Sequence, residues 1–244
     1  MAVNAADFRG EPGFDRLAPH YRWLEAVVAG NLLQRCRVQW LPKVAAARQV
    51  LLVGEGAGRS LEPCAGRFPD AHFTVLDLSG GMLAAAKRRV PAGLPPASVH
   101  FIHADARRWR SESASFDLVI TNFFLDCFNR TELADVVANL AQSASPEASW
   151  LVSDFCVPQN GWRRLRAQVL LRLAYAVFRS ATGISASSIV DPEPLLANHG
   201  FQLQFRSTLN HGLLHSDLWS RAALPSRSKP AFDSRGLERK GSSA

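Results

Sequence analysis

The sequence contains no apolar run of the about 18 residues that a membrane-crossing helix needs. Its first ten residues have no basic start followed by an apolar stretch, so no secretory leader is expected and a cytoplasmic protein is the default reading. Cysteine is sparse. Cys36, Cys64, Cys127 and Cys156 lie far apart, with no Cys-x-x-Cys pair and no histidine at ligand spacing. That pattern speaks against a zinc centre or a disulfide framework, and no metal site is expected. Internal repeats are absent, as are zinc-finger spacing, an RNP-like aromatic motif and any long basic block. Nucleic acid is therefore not an expected partner.

What is there is ordinary in bulk. The 244 residues are 47% hydrophobic and 20% charged, which suits one globular domain with a substantial core. The net charge is +7, with arginines in short clusters such as Arg107/Arg108/Arg110 and Arg163/Arg164/Arg166. Such an excess fits an anionic surface or plain solubility.

Along the chain, short aliphatic or β-branched runs alternate with helical patterns, the signature of repeated βα units and a parallel sheet. Strands are expected near 49–53, 72–77, 98–103, 116–121 and 149–155, with helices near 60–67, 80–89 and 131–143. A helix over 21–37 precedes them, and residues 1–45 read as a helical cap on the substrate side. Residues 46–220 form the main domain. After the fifth strand the rhythm changes to a long helix over 162–179, on which Trp162, Leu165, Val169, Leu173, Ala176 and Val177 share helical spacing. A short helix over 193–198 and two strands over 201–207 and 213–220 follow. From 221 to 244 the chain is rich in Ser, Pro, Arg and Gly, and a disordered tail is expected.

The strongest signal is Val50-Leu51-Leu52-Val53-Gly54-Glu55-Gly56-Ala57-Gly58-Arg59-Ser60, a buried strand running through G-x-G-x-G into a helix. Glycines serve where the backbone turns sharply and where a ligand must reach main-chain atoms. In a doubly wound sheet that crevice is where nucleotide-like ligands bind. About 20 residues on, Asp77 ends the second strand, where a carboxylate accepts hydrogen bonds from ribose hydroxyls. Asp105, after the third strand, stands where a carboxylate faces the exocyclic amine of an adenine. Both aspartates are also compatible with simple capping or turn roles. A dinucleotide is the rival ligand, but Arg59 occupies the third glycine position of its fingerprint.

Val50 to Arg59, Asp77-Leu78-Ser79 with Met82, Ala104-Asp105-Ala106 and Phe116-Asp117-Leu118-Val119 together resemble the ordered motifs of class I S-adenosylmethionine (SAM)-dependent methyltransferases. The segment Phe14-Asp15-Arg16-Leu17-Ala18-Pro19-His20-Tyr21 is similar to the entry motif of the ubiquinone/menaquinone C-methyltransferase group. The resemblance implies an α/β fold with a doubly wound, seven-stranded, mainly parallel sheet and an antiparallel last strand. It implies SAM as cofactor, with Gly54, Glu55, Gly56 and Gly58 around the methionine moiety and Asp77 on the ribose. Leu78 and Met82 would pack near the adenosine, Asp105 and Ala106 would face the adenine, and Asn122 and Phe123 would line the methionine side. Three positions depart from the pattern: Val53 stands where an acidic residue often ends the first strand, Glu55 sits inside the glycine loop, and Arg22 follows Tyr21 where the quinone group often has Asp.

The expected activity is methyl transfer to a small-molecule acceptor, lipidic or aromatic and quinone-like. Other SAM chemistry and non-catalytic SAM binding are the alternatives. A sulfonium methyl is already activated, so the protein chiefly positions the acceptor and needs a base only if the acceptor must lose a proton. Candidates for that base are Asp126, Asp154, His211 and His20, with Asp154 preferred as the catalytic residue because it closes the fifth strand. The basic, apolar helix over 162–179 reads either as a lid or as a peripheral contact with an anionic membrane.

Overall fold

The computed structural model describes residues 31–158, 160–182 and 189–221. Seven strands form one sheet: β1 (Gln49–Val53), β2 (His72–Asp77), β3 (Val99–His103), β4 (Phe116–Asn122), β5 (Ala144–Phe155), β6 (Phe201–Leu209) and β7 (Leu214–Arg221). Their order is β3-β2-β1-β4-β5-β7-β6. β1 to β5 run parallel, while β7 lies antiparallel between β5 and β6. The expected doubly wound architecture with its late antiparallel strand is present. The order reverses between β1 and β4, which opens a crevice beyond their carboxyl ends.

Alternation along the strands divides the core. Leu51, Val53, Val119, Trp150 and Val152 pack against α4 (Arg130–Ser143) and α6 (Glu193–Asn198). Val50, Leu52, Val75, Ile120 and Leu151 pack against α2 (Leu61–Arg67) and α3 (Gly80–Lys87) on the other face. Strands buried on both faces are why the sequence shows continuous aliphatic runs here. α1 (Asn31–Val38) lies across β5 and β7, where the Cys36 carbonyl accepts from the Ser153 and Ser216 hydroxyls.

Several boundaries differ from expectation. β5 starts at Ala144 because Phe116 pairs with Ala144 before the ladder shifts to Leu118 and Ser149. Arg221, assigned to the tail, instead closes β7 opposite Phe201 and donates to the carbonyls of Ala141 and Ala144 at 2.8 and 3.0 Å. Residues 222–244 and 1–30 lie outside the described residues, and with them the expected tail, the 14–21 motif and His20.

The long helix, α5 (Gly161–Thr182), is present, but the first three residues of the marked apolar spacing do not form its packed face, and the side chains of Leu173, Ala176 and Val177 lie outside the described residues. Ala167, Leu171 and Leu213 form its buried contact, whereas Trp162, Leu165 and Val169 are exposed. Among the described residues no helix is long and apolar enough to cross a membrane.

Candidate functional site

The crevice is built by three consecutive strand ends. After β1, Gly54, Gly56 and Gly58 all take positive φ, at 62°, 61° and 78°. Two of them are crowded. A Cβ on Gly54 would lie 2.1 Å from the Phe124 ring, and one on Gly58 would lie 2.9 Å from the Ala86 backbone. Gly56 differs, since the first atom a Cβ would meet is Met82 Sδ at 4.0 Å. Space for a ligand therefore opens at Gly56, with Met82 from α3 as its apolar wall.

Asp77 ties the end of β2 to that loop. Its Oδ2 accepts the Gly56 N–H at 3.1 Å and its Oδ1 the Ser79 N–H at 2.8 Å. Ser79 in turn caps α3, its hydroxyl accepting from Met82 N–H at 3.1 Å. Burial raises the Asp77 carboxyl above its ordinary value, opposed by these backbone hydrogen bonds. Leu78 offers its carbonyl to His103 Nε2 at 2.7 Å, which links the ends of β2 and β3.

Asp105 is buried and engaged by Arg107, which donates from its backbone and from Nε at 2.9 to 3.0 Å. Burial works against ionisation there, but these bonds prevail and hold the carboxyl below its usual range. Ala106 is buried beside it, and its carbonyl accepts from the Asn139 side chain of α4 at 3.1 Å.

Glu55 does something the sequence did not announce. Its carboxylate accepts the Ser60 N–H at the start of α2, a favourable place for negative charge. Burial nevertheless pushes its pKa up to about 7, against the Ser60 hydrogen bond and the nearby Arg37. Asn122, at the end of β4, donates to Ser60 Oγ at 3.0 Å, while its Oδ1 is buried without a hydrogen-bond partner. Phe123 takes φ of 55°, a rare conformation for a bulky side chain, and its N–H reaches the Ser153 carbonyl.

Beyond β4 and β5 lies a cavity of about 1130 Å³. Arg163, Arg164 and Gln168 of α5 are among its lining residues. Asp126 and Asp154 line its floor. Asp154 accepts the Phe124 N–H at 3.0 Å through Oδ1, and its Oδ2 is buried without a partner. Burial first, and the like charge of Asp126 second, push the Asp154 carboxyl well above the carboxylate range. His211 also lines the cavity, against Trp162 with ring centroids 5.8 Å apart.

Sequence reasoning missed the opposite wall. Arg206, Thr208 and His215, from the late hairpin, face the cavity. The Asp154↔His215 and Thr208↔His215 pairings put Asp154, His215 and Thr208 side by side across β5, β7 and β6. Only the alternation His215-x-Asp217 could have hinted at a shared strand face.

Residues 50–147 match the family profile described as a methyltransferase domain. Trans-aconitate 2-methyltransferase of Paracidovorax citrulli (strain AAC00-1) is 36% identical over 80 residues, 32% of this chain and 28% of that protein. The chain thus spans under a third of this curated relative. Human N-acetylserotonin methyltransferase in complex with SAM superposes with a TM-score of 0.60 at 16% identity, over 90% of this chain and 60% of that one. Burkholderia thailandensis 1,6-didemethyltoxoflavin-N1-methyltransferase, with 1,6-didemethyltoxoflavin and S-adenosylhomocysteine bound, does so at 0.56 and 15% identity, over 91% and 92%. The fold is that of the class I methyltransferases.

Proposed function

We propose that the protein is a class I SAM-dependent methyltransferase acting on a small-molecule acceptor. The observation that carries the reading is the open cradle at Gly56, bordered by Met82 and roped to Asp77, next to a separate cavity of about 1130 Å³. Cofactor and acceptor then have adjoining chambers at the switch point of the sheet. The methyltransferase-domain match over 50–147 and the SAM- or S-adenosylhomocysteine-bound structural neighbours support the same cofactor.

When bound, SAM supplies an electrophilic methyl on a sulfonium sulfur. The chain's own residues bind and orient. Gly54, Gly56 and Gly58 present backbone to the methionine end, with Glu55 holding the loop to α2, and Asp77 accepts from the ribose hydroxyls. Leu78 and Met82 pack the adenosine, and Asp105 with Ala106 meets the adenine. The unpartnered Asn122 Oδ1 supports a polar contact at the methionine end, beside Phe123. Arg59 at the third glycine position of a dinucleotide loop favours SAM over NAD.

On the acceptor side, Phe155, Val157, Leu171, Ile189 and Val190 give the cavity an apolar share that suits an aromatic or lipidic, quinone-like molecule. Asp154, the catalytic residue preferred on sequence grounds, lines the same cavity beside Asp126. Calorimetric titration with SAM, S-adenosylhomocysteine and NAD tests the assignment. The first two bind and NAD does not, and Asp77→Ala weakens both by about 10- to 100-fold, as expected for losing hydrogen bonds to a charged group. Binding indifferent to Asp77, or no SAM binding, refutes it.

A further inference from the structure

We propose that His215 is the base that takes the acceptor's proton, which makes the acceptor a hydroxylated, phenol-type molecule methylated on oxygen. This rests on the methyltransferase reading and deepens it. His215 Nδ1 lies 3.0 Å from Asp217 Oδ2. A carboxylate only accepts, so the hydrogen sits on Nδ1, and in the neutral ring the lone pair is on Nε2. Nε2 has no hydrogen-bond partner among the described residues, and the imidazole forms part of the cavity wall.

The support behind the ring is built for orientation. Asp217 is 1% exposed and held by Arg206 through Nε–Oδ1 at 2.9 Å and a terminal nitrogen on Oδ2 at 2.7 Å. Burial opposes ionisation of Asp217, but the Arg206 and His215 hydrogen bonds overcome it and keep the carboxyl below its usual range. Arg206 also meets Glu193 of α6 at 2.9 Å. The Asp217 carboxylate, itself held by Arg206, fixes the orientation of the imidazole. The remaining charged groups around the ring are Asp154 and Asp126 at the β4–β5 end, and Arg163, Arg164, Asp191 and His211 along the cavity.

The step balances without another reactant. The acceptor O–H proton passes to Nε2, the freed oxygen lone pair forms the O–CH₃ bond, and the CH₃–S bond breaks with its electron pair remaining on sulfur. The imidazolium then returns its proton to solvent. Asp217 and Arg206 are positioning residues, acting through His215.

The probe is 4-nitrophenol, whose colour reports its ionisation, titrated into protein saturated with S-adenosylhomocysteine. Bound probe should show about a tenfold higher phenolate-to-phenol ratio than free probe at the same pH, one pKa unit. His215→Asn keeps a donor to Asp217 and removes Nε2. It should bring the ratio back to the free value while leaving S-adenosylhomocysteine binding intact. Asp217→Asn should move the midpoint of phenolate formation without weakening probe binding, which a merely structural role would not do. Probe that fails to bind, binds without excess ionisation, or ionises equally in His215→Asn overturns the proposal. Those outcomes with S-adenosylhomocysteine still bound leave the methyltransferase reading standing, whereas failure of the wild-type protein to bind S-adenosylhomocysteine refutes that reading instead.

Discussion

Glu55 shows how one side chain in a glycine loop couples the cofactor crevice to the fold. Its carboxylate sits at the start of α2, yet burial holds its pKa near 7 against an ordinary 4.5. The folded state thus holds this proton more tightly than the unfolded chain, and stability falls as pH rises between those two values. Below 4.5 both states are protonated and the cost vanishes. Glu55→Gln preserves an oxygen for the Ser60 N–H and removes the charge. It should melt about 2–4 °C above wild type at pH above 7, the effect of roughly 1 kcal/mol in a chain this size, and match it below 4.5. Thermal melts across that range check it. An advantage that grows on acidification would contradict the burial argument.

At the scale of elements, α5 carries two faces with different work. Ala167 and Leu171 pack onto Leu213, and Arg163, Arg164 and Gln168 line the cavity. Trp162, Leu165 and Val169 are 62%, 66% and 48% exposed, an apolar stripe open to solvent among the described residues apart from the ring contact of Trp162 with His211. We propose that this stripe, within the basic 162–179 helix, rests on an anionic membrane surface and brings a lipidic acceptor within reach. Sedimentation with vesicles rich in anionic lipid should pull the protein down at low salt. Trp162→Glu should reduce the bound fraction several-fold. Equal sedimentation of both proteins, or none of the wild type, would remove the membrane contact and leave the lid.

The whole molecule joins its two chambers through one sheet. The crevice lies where strand order reverses beside β1 and β4, and the cavity lies one strand further along, between β5 and the late hairpin. A ligand that binds the folded state alone stabilises it by mass action. S-adenosylhomocysteine at about 100 times its Kd should add about 2.7 kcal/mol, or roughly 5–10 °C in melting temperature at about 2–4 °C per kcal/mol. The Asp77→Ala protein, at the same ligand concentration, should show about half of that rise or less, since binding weakened about 10- to 100-fold leaves about 0.4–1.4 kcal/mol. A full shift in the variant would place the ligand elsewhere.

The parallel core and its crevice were legible in the sequence because their signals are local. A buried strand must be aliphatic throughout, a positive-φ turn calls for glycine, and an acidic strand end lies at a set distance from both. Gly54 to Gly58, Asp77 and Asp105 could therefore be picked out before any coordinates. The extra length of β5, the place of Arg221 in β7 and the buried face of α5 were not legible, because each depends on what a distant segment lays against it. Glu55 reads as a cofactor-loop residue until Ser60 is seen above it. His215, Asp217 and Arg206 carry no motif. The antiparallel pairing of β6 and β7 alone brings an imidazole, a carboxylate and a guanidinium from separate strands to one wall, since side-chain neighbours across a sheet are set by register and not by sequence distance.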